Sequence, residues 1–390
     1  MTPLPLPVDW SEPYVEDWEW LTEIIESESG REQRRSRRLL PRHSINFRAT
    51  DLQGRDRLRR QQAAGGMSDL LIMADEVRRT TLSTAAFVND TTLSVAAADW
   101  LSAARWLVVE IDGVRQALEV ASVAGTTVTL EDALPFDIAA GRTLRLGLVS
   151  RLSPQQTIQM LSNEISRGSV AIQVEPGDEV LVQSSAPTTF NGREVLLHRP
   201  DWSEPLGLDF ADSLTFVDAE SGVRSPYRRR EWTRETHRVR HLLRSTADQQ
   251  AFIGAFHRAR GRQGELYRPS WFNDFPLSDA VSSGSKFWRT EGKGFANAYA
   301  HSPVYKAIAV VMRSGTVHLF QIAEITSGGS TSPWSMIETV TGAPAAINPA
   351  DAAMICLMPV VRFGSDTLSV QWLTHTIARV QTSFITLEDL

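Results

Sequence analysis

The sequence predicts a mainly β protein made of two tandem, related β-sandwich or barrel domains, each with a flanking α-helix. Two observations predict this fold class. A short string of residues occurs twice along the chain, and most apolar segments are short or alternate with polar residues. Alternation with a period of two is typical of half-buried strands, whereas helices repeat every 3.6 residues. We expect the domains to span residues 1–180 (the first half) and 190–390 (the second half), with the turn-rich residues 176–190 at their junction.

The repeated string is Asp-Trp-Ser-Glu-Pro, at Asp9–Pro13 and again at Asp201–Pro205. Glu-Ser-Gly follows at Glu28–Gly30 and Glu220–Gly222, so that both matches (201 − 9 and 220 − 28) have an offset of 192 residues. Further matches follow in the same order with longer offsets: Trp106–Val120 with Ile308–Ile322, Thr143–Leu152 with Met354–Phe363, and Ile165–Glu175 with Ile377–Glu388. Ordered self-similarity predicts that the halves share one plan. The alternative is similar turn chemistry recurring in an all-β chain.

One helix in each half is predicted from start and stop signals. The clearer helix is predicted over Ala247–Arg260, where Ser245 and Asp248 form a start like a capping box. Gly261 can end this helix in the left-handed region. In the first half, Asp51–Ala64 is predicted to be the equivalent, weaker helix.

The strongest strand signal is a hairpin. It joins Val108–Ile111 to Ala117–Val123 through Asp112-Gly113, a pair that suits a tight turn with positive φ. Other strands are predicted at Val128–Leu130, Leu144–Val149, Val170–Val174, Val180–Gln183, Val195–Leu197, Val304–Met312, Val317–Ile325, Ile355–Val361, Leu368–Trp372 and Thr382–Leu387.

Composition and charge exclude several classes of protein. The chain is 42% hydrophobic and 22% charged, which is ample for packed cores. A net charge of −6 argues against a general nucleic-acid binder. No apolar run is long enough for a membrane span, and the N-terminus has no pattern of a signal peptide. Cys356, the only cysteine, predicts a buried core thiol, no intramolecular disulfide and folding in the cytoplasm.

No catalytic, cofactor or metal site is predicted. The chain has no HExxH, GxSxG, Walker A or GxGxxG motif. His237 and His241 would share one face of a helix, but their segment alternates like a strand and has no Cys or nearby Asp to complete a metal shell. The serines of residues 282–285 lie in a Gly/Ser loop without an adjacent base.

Two Arg-rich stretches, Arg31–Arg42 and Arg228–Arg240, admit two interpretations. They could bind phosphate, or they could form charged β faces matched by acidic groups of the same chain or of a neighbouring subunit. The acidic balance of the chain favours the second interpretation. The tryptophans could likewise pack in domain cores or anchor assembly contacts. The candidate residues of an assembly interface are Trp10, Trp202, Trp271, Arg34, Arg38, Arg229 and Arg234.

Several segments together resemble tail proteins of long-tailed bacteriophages, in the siphovirus-like distal tail or baseplate hub family. In the first half these are Trp10, Trp20–Ile25, Ser29–Arg34 and Pro41-Arg42, similar to an extended W-x-T-x-I-x-x-S-x-x-G-x-E-Q-R segment. In the second half they are Gly261-Arg262, Tyr267–Trp271, Asp274, Arg362–Asp366 and Gln371–Thr374. The first half departs from the pattern, because Leu70–Met73 replaces the Tyr-Arg-Pro-Ser-Trp stretch.

The resemblance implies a structural virion protein of the tail tip, assembled in the host cytoplasm, with a tail-tube-like fold. Its implied partners are copies of itself (a trimeric, pseudo-sixfold ring or a hexamer), the tail tube protein, and baseplate hub or tail fibre proteins. DNA would pass through the lumen without specific binding. One alternative is a receptor- or carbohydrate-binding β-sandwich module of the tail. Another is a tail-associated hydrolase, which would need an acid pair or a Cys/His set that the sequence does not offer.

Overall fold

A computed structural model describes residues 1–51, 69–98, 100–154, 157–163, 165–177, 186–218, 222, 224–328 and 333–389. Of the described residues, 50% lie in strands and 7% in helices, so the predicted mainly β fold class is confirmed. The predicted strand Val180–Gln183, most of the predicted junction and residues 52–64 of the predicted helix Asp51–Ala64 lie outside the described residues.

The strands of the first half are β1 (Thr2–Pro3), β2 (Tyr14–Glu19), β3 (Thr22–Glu26), β4 (Glu32–Ser36), β5 (Arg42–Asp51), β6 (Leu71–Thr81), β7 (Thr92–Ser94), β8 (Trp106–Ile111), β9 (Val114–Ala124), β10 (Thr127–Leu130), β11 (Thr143–Leu152), β12 (Thr157–Met160) and β13 (Ser166–Val174). Those that follow are β14 (Thr189–Phe190), β15 (Arg193–Val195), β16 (Gly207–Ala211), β17 (Leu214–Asp218), β18 (Arg224–Arg228), β19 (Arg234–Leu243), β20 (Leu266–Tyr267), β21 (Phe287–Glu291), β22 (Ala307–Met312), β23 (Val317–Ser327), β24 (Trp334–Thr339), β25 (Ala352–Leu357), β26 (Val360–Phe363), β27 (Thr367–Trp372) and β28 (Ala378–Thr386). The described helices are α1 (Thr246–Ala259), α2 (Gly294–Tyr299) and a 3-10 helix (Leu101–Ala103).

Nineteen of the described strands form one large sheet that curls into a half-barrel. Strand β2 lies between the halves, because it pairs with β5 on one edge and with β27 on the other, both antiparallel. The main hydrophobic core also takes side chains from both halves, including Trp18 and Ile45 from the first and Phe256, Trp372 and Phe384 from the second. The halves are therefore joined by a common sheet and a common core.

Strand pairings recur along the chain with a constant displacement. Strands β2 and β5 place Val15 opposite Asn46, and strands β16 and β19 place Gly207 opposite Arg238. Adding 192 to both numbers of the first pair gives the second pair, so the two antiparallel registers coincide.

Two further pairings recur in the same way. Strands β5 and β13 place Ile45 opposite Ile172, and strands β19 and β28 place His237 opposite Phe384. The displacement is 192 for the first strand and 212 for the second. The pairings of β1 with β6 and of β15 with β20 are both parallel, which none of the other described pairings is.

Two local sequence signals, one in each half, are confirmed. Helix α1 begins one residue before its predicted start, with the Ser245 hydroxyl accepting a 3.1 Å hydrogen bond from the Asp248 amide as the start signal predicted. It ends at Ala259, and its left-handed cap is Arg260; the predicted stop residue Gly261 comes next, with a φ of 67°. Asp112 and Gly113, with φ of 50° and 74°, form the tight turn between β8 and β9.

The strand predicted over Ile355–Val361 is two strands, β25 and β26. They flank Pro359, which has no backbone N–H to donate to a ladder. Strand β25 pairs with β22 in a separate five-stranded sheet, whereas β26 pairs with β20 and β28 in the large sheet. The proline therefore lies where the chain passes from one sheet to the other. Cys356, in β25, is buried as predicted, and burial raises the pKa of its thiol to about 12.

Candidate assembly interface

The contact between the halves is centred on a buried carboxylate. Glu16 lies in β2 between Tyr14 and Trp18, and since alternate residues of a strand face the same side, all three point into the core. The Arg78 guanidinium donates a 2.7 Å hydrogen bond to one oxygen of Glu16, and the Trp372 indole N–H donates a 2.8 Å bond to the other. Glu16 therefore links strands β2, β6 and β27.

The other groups around Arg78 complete a buried ionic cluster. Asp75 accepts a 2.5 Å hydrogen bond from Arg78, and His43 Nε2 lies 3.4 Å from Glu16. Burial alone would raise the pKa of Glu16, but Arg78 and His43 hold it below its ordinary value. Burial and the nearby Glu16 raise the pKa of Asp75 instead. His257 of α1 packs edge-on against Trp18, and burial lowers its pKa to about 3, which keeps the imidazole neutral near pH 7.

A hairpin formed by β3 and β4, hereafter the first arm, lies on the second half. At the centre of this contact is Glu32, the first residue of β4, whose side chain is buried between two arginines of the second half. The Arg362 guanidinium donates two hydrogen bonds to Glu32, of 2.7 and 2.9 Å, and Arg234 lies 3.2 Å away. Burial raises the pKa of Glu32, but these two arginines outweigh that effect and lower it.

The start of the first arm is fixed by Asp366, in the turn between β26 and β27. Asp366 accepts hydrogen bonds from the Thr22 amide (2.8 Å) and the Thr22 hydroxyl (2.7 Å). It also accepts one from the Arg262 amide (2.9 Å), and the Arg262 guanidinium donates to the Thr22 carbonyl. The resemblance segments Trp20–Ile25 and Arg362–Asp366, distant in sequence, are thus in direct contact.

The four predicted interface arginines all pair with carboxylates of the same chain. Arg34 contacts Glu265, and Arg234 contacts both Glu26 and Glu32, so these two lie in the contact between the halves. Arg229 lies 3.5 Å from Glu28 at the exposed tip of the first arm. Arg38 lies 3.1 Å from Glu19, within the first half.

The three predicted interface tryptophans occupy different environments. Trp10 is partly exposed and stacks on Tyr14. Trp202 is 44% exposed and its ring lies edge-on to that of Phe272, which is also exposed. Trp271 is buried, with a φ of 61°. Trp10 and Trp202 are therefore available on the surface of a single chain, and Trp271 is not.

Sequence reasoning missed the ionic cluster of Glu16, Asp75 and Arg78. A signal was present, because a charged residue occupies an inward position of an alternating strand between Tyr14 and Trp18. The partners of Glu16 in this cluster lie in β6, about sixty residues later, so the residues near Glu16 in the sequence could not predict them.

Strands β16 and β12 of the large sheet each keep a free edge among the described residues. Strand β16 pairs with β19, and strand β12 pairs with β13, but neither pairs with another described strand on its other edge. Both carry exposed apolar side chains, Phe210 on β16 (65% exposed) and Met160 on β12 (54% exposed). The hairpin of β17 and β18, hereafter the second arm, exposes Phe216 and Tyr227.

Comparison with protein-family models gave no match, and comparison with curated protein sequences gave none either. Within the described ranges, no helix combines the length and apolar character needed to cross a membrane. The same ranges contain no group of three or more His, Cys, Asp or Glu side chains placed to hold a metal ion.

Proposed function

We propose that the chain is a structural virion protein of a phage tail tip, forming a ring that joins the tail tube to the baseplate hub or fibres around the DNA channel. The observation that carries the proposal is the recurrence of strand registers at constant displacements in the two halves. This recurrence supports two tandem, related β domains, 1–180 and 190–390. A flanking helix in each domain belongs to the tail-tube-like plan that the resemblance implies.

The way in which the halves meet supports a ring. The halves meet through β2 of the first half and β27 of the second half. By register, the strand of the first half that corresponds to β27 is β12, so β2 and β27 are not equivalent strands. Like units that meet through unlike surfaces form head-to-tail contacts, which generate closed rings or open filaments. Three copies of such a chain provide six like units, which suits a junction between a sixfold tube and threefold parts.

The charges support passage of DNA without specific binding. Most arginines of the two dense stretches meet carboxylates, as in the contacts of Arg34 with Glu265 and of Arg234 with Glu26. Neutralised arginines attract phosphate weakly, so these stretches do not favour a nucleic-acid site. The resemblance to tail proteins adds the proposed neighbours, which are the tail tube protein and baseplate hub or tail fibre proteins.

Mass measurement of the purified oligomer tests the proposal. We expect a particle with the mass of three 43.3 kDa chains and, in electron micrographs, a ring with six similar lobes around a channel. A clean hexamer would contradict the pseudo-sixfold arrangement, and a stable monomer at all concentrations would contradict the ring. Mass spectrometry of purified virions should find the chain in the tail fraction.

A receptor- or carbohydrate-binding role is the second candidate, favoured by the exposed aromatic pair Trp202 and Phe272. Exposed aromatic rings commonly contact apolar faces of ligands. This role predicts glycan or host-cell binding by the purified protein that Trp202→Ala abolishes and Trp10→Ala leaves intact. Absence of binding by the wild-type protein would remove this candidate.

A further inference from the structure

We propose that strand β16 of one copy pairs antiparallel with strand β12 of a second copy, in the register that β2 and β27 use within the chain. The inference rests on the proposed ring and supplies its contact between chains. The partner at both free edges is therefore a second copy of this chain.

The first step is the correspondence between strands. Strand β16 corresponds to β2 because both pair with the following long strand at a displacement of 192. Strand β12 corresponds to β27 because Ile158 lies opposite Gly168 in one pairing and Val370 opposite Val380 in the other. Adding 212 to both numbers of the first pair gives the second. Each partner of the internal β2–β27 pairing thus has a counterpart whose edge is free among the described strands.

The second step is the register. Within the chain, Glu16 lies opposite Val370 and Tyr14 lies opposite Trp372. Applying the displacements of 192 and 212 to the first pair places Leu208 of one copy opposite Ile158 of the other. The second pair likewise places Leu206 opposite Met160. Because these positions are two residues apart on each strand, all four side chains share one face of the combined sheet.

The third step is the chemistry of that face. The inward residues of β2 and β27 in the contact within the chain are buried. Among their counterparts, Leu208, Phe210 and Met160 are exposed apolar residues, and Leu206 and Ile158 are half-buried. Isolated exposed apolar residues are ordinary, but an apolar row along an unpaired strand edge promotes pairing with another strand. Pairing with a second copy would satisfy both free edges and bring the apolar side chains of β16 and β12 into contact, as the side chains of β2 and β27 are in contact within the chain.

The arms supply an independent match. By the displacement of 192, the second arm corresponds to the first arm, β17 to β3 and β18 to β4. The first arm lies on residues 229–234 of its own chain, through Arg229, Arg230 and Arg234. Subtracting 192 from these numbers gives residues 37–42, so the second arm is expected to lie there on the next copy. That segment exposes Leu39 (86%) and Leu40, and the second arm exposes Phe216 and other apolar residues.

The two arm contacts differ in chemistry, and this difference fixes the order of units in the ring. The first arm meets arginines through Glu26, Glu28 and Glu32, whereas the second arm offers Leu214, Phe216, Val217 and Tyr227. On residues 229–234 an apolar arm would leave Arg229 and Arg234 without carboxylate partners. On residues 37–42, Arg37 and Arg38 already pair with Glu23 and Glu19 of their own chain, so each arm is specific for one surface. First and second halves must therefore alternate around the ring.

Disulfide cross-linking tests the register. Directly opposed residues of antiparallel strands have Cα atoms about 4.5–5.5 Å apart, which lies within the range for a disulfide. The double variant Leu208→Cys/Ile158→Cys should form a covalent trimer on a non-reducing denaturing gel, and reductant should return it to monomer. The native Cys356 is buried and adds little background.

Three controls make the outcome decisive. The double variant Leu208→Cys/Gln159→Cys moves one thiol to the other face of the sheet and should not form the cross-link. The single variants Leu208→Cys and Ile158→Cys should not form it either. Phe210→Asp should reduce the particle from three chains to one, whereas Phe87→Asp, at another exposed apolar residue, should leave it trimeric.

A wild-type trimer that Phe210→Asp does not dissociate, and that the Leu208/Ile158 cysteines do not link, would overturn the strand contact and leave the proposed ring standing. An internal disulfide that leaves single chains on the gel would overturn it also. A wild-type chain that is monomeric at all concentrations would instead count against the ring itself.

Discussion

The contact between the halves and its unpaired counterpart use corresponding strands and apolar side chains, but only the first also has buried charged groups at its centre. Within the chain, β2 meets β27 and the first arm meets the second half, and charged groups such as Glu16 and Glu32 lie at the centre of both contacts. In the counterpart, β16, β12 and the second arm carry exposed apolar residues, and no described strand pairs with the outer edge of β16 or of β12. A buried ionic contact can form once, as the chain folds, because the cost of desolvation is offset only by well-placed partners. An apolar contact needs no buried ionic partners, and it gains free energy in proportion to the apolar area that assembly removes from water.

The largest effect on the contact within the chain is expected from Arg78→Met. This change leaves Glu16 and Asp75 buried without their cation, and removing one partner of a buried pair costs about 3–5 kcal/mol. The free energy of unfolding, from urea titration followed by tryptophan fluorescence, should fall by that amount. Arg37→Met is the control, since Arg37 and Glu23 form an exposed pair whose loss should be small. A loss for Arg78→Met no larger than that of the control would contradict the central role of the cluster.

Corresponding positions in the two halves offer the next comparison. Trp232 is buried beneath Arg230 and Arg234, whereas Leu40, its counterpart by the displacement of 192, is exposed. Trp232→Ala should cost about 3 kcal/mol of unfolding free energy through lost packing. Leu40→Ala should change it by less than about 0.5 kcal/mol. Equal losses of unfolding free energy for the two variants would contradict the difference in burial between Trp232 and Leu40 in the single chain.

These two comparisons also show how far the sequence could predict the molecule. The helix start at Ser245 and the Asp-Gly hairpin were predictable, because their signals lie within a few residues. The offset of 192 in the repeated strings is also the displacement that relates the strand registers. The pairing of β2 with β27, by contrast, joins residues about 350 positions apart, and alternation of polar and apolar residues identifies a strand without naming its partner.

The interface arginines show the same limit. The sequence predicted that the Arg-rich stretches meet carboxylates of the same chain or of a neighbouring subunit, and it left that choice open. The contact of Arg34 with Glu265 is formed within the chain, through folding of the first arm onto the second half. The strand predicted over Ile355–Val361 ran through Pro359, and only the two sheets on either side of this proline show why the strand is interrupted there.

A smaller effect, and one that depends on pH, is expected from Glu32→Gln. The glutamine keeps the shape of the side chain but loses charge-assisted hydrogen bonds to Arg362, which are worth about 1.5–3 kcal/mol each. The pKa of Glu32 is lowered in the folded chain from an ordinary value of 4.5. Its contribution to stability is therefore complete above pH 4.5 and is lost as the pH falls below it. The difference in unfolding free energy between wild type and Glu32→Gln should shrink on acidification from pH 7 to pH 3. A difference that stays constant or grows would contradict the lowered pKa.

The smallest effect on the single chain, and the most direct test of the comparison, is expected from Leu39→Asp. Leu39 touches little of its own chain, so the free energy of unfolding should change by less than about 0.5 kcal/mol. If the apolar second arm of a neighbouring copy covers this residue, a carboxylate buried there would have no partner, and the oligomer should dissociate at concentrations where the wild type remains assembled. Val88→Asp, at an exposed apolar residue outside both contacts, is the matched control. Because Leu39→Asp leaves the ionic first arm untouched, loss of assembly with unchanged stability would separate the two contacts, and unchanged assembly would show that the second arm lies elsewhere.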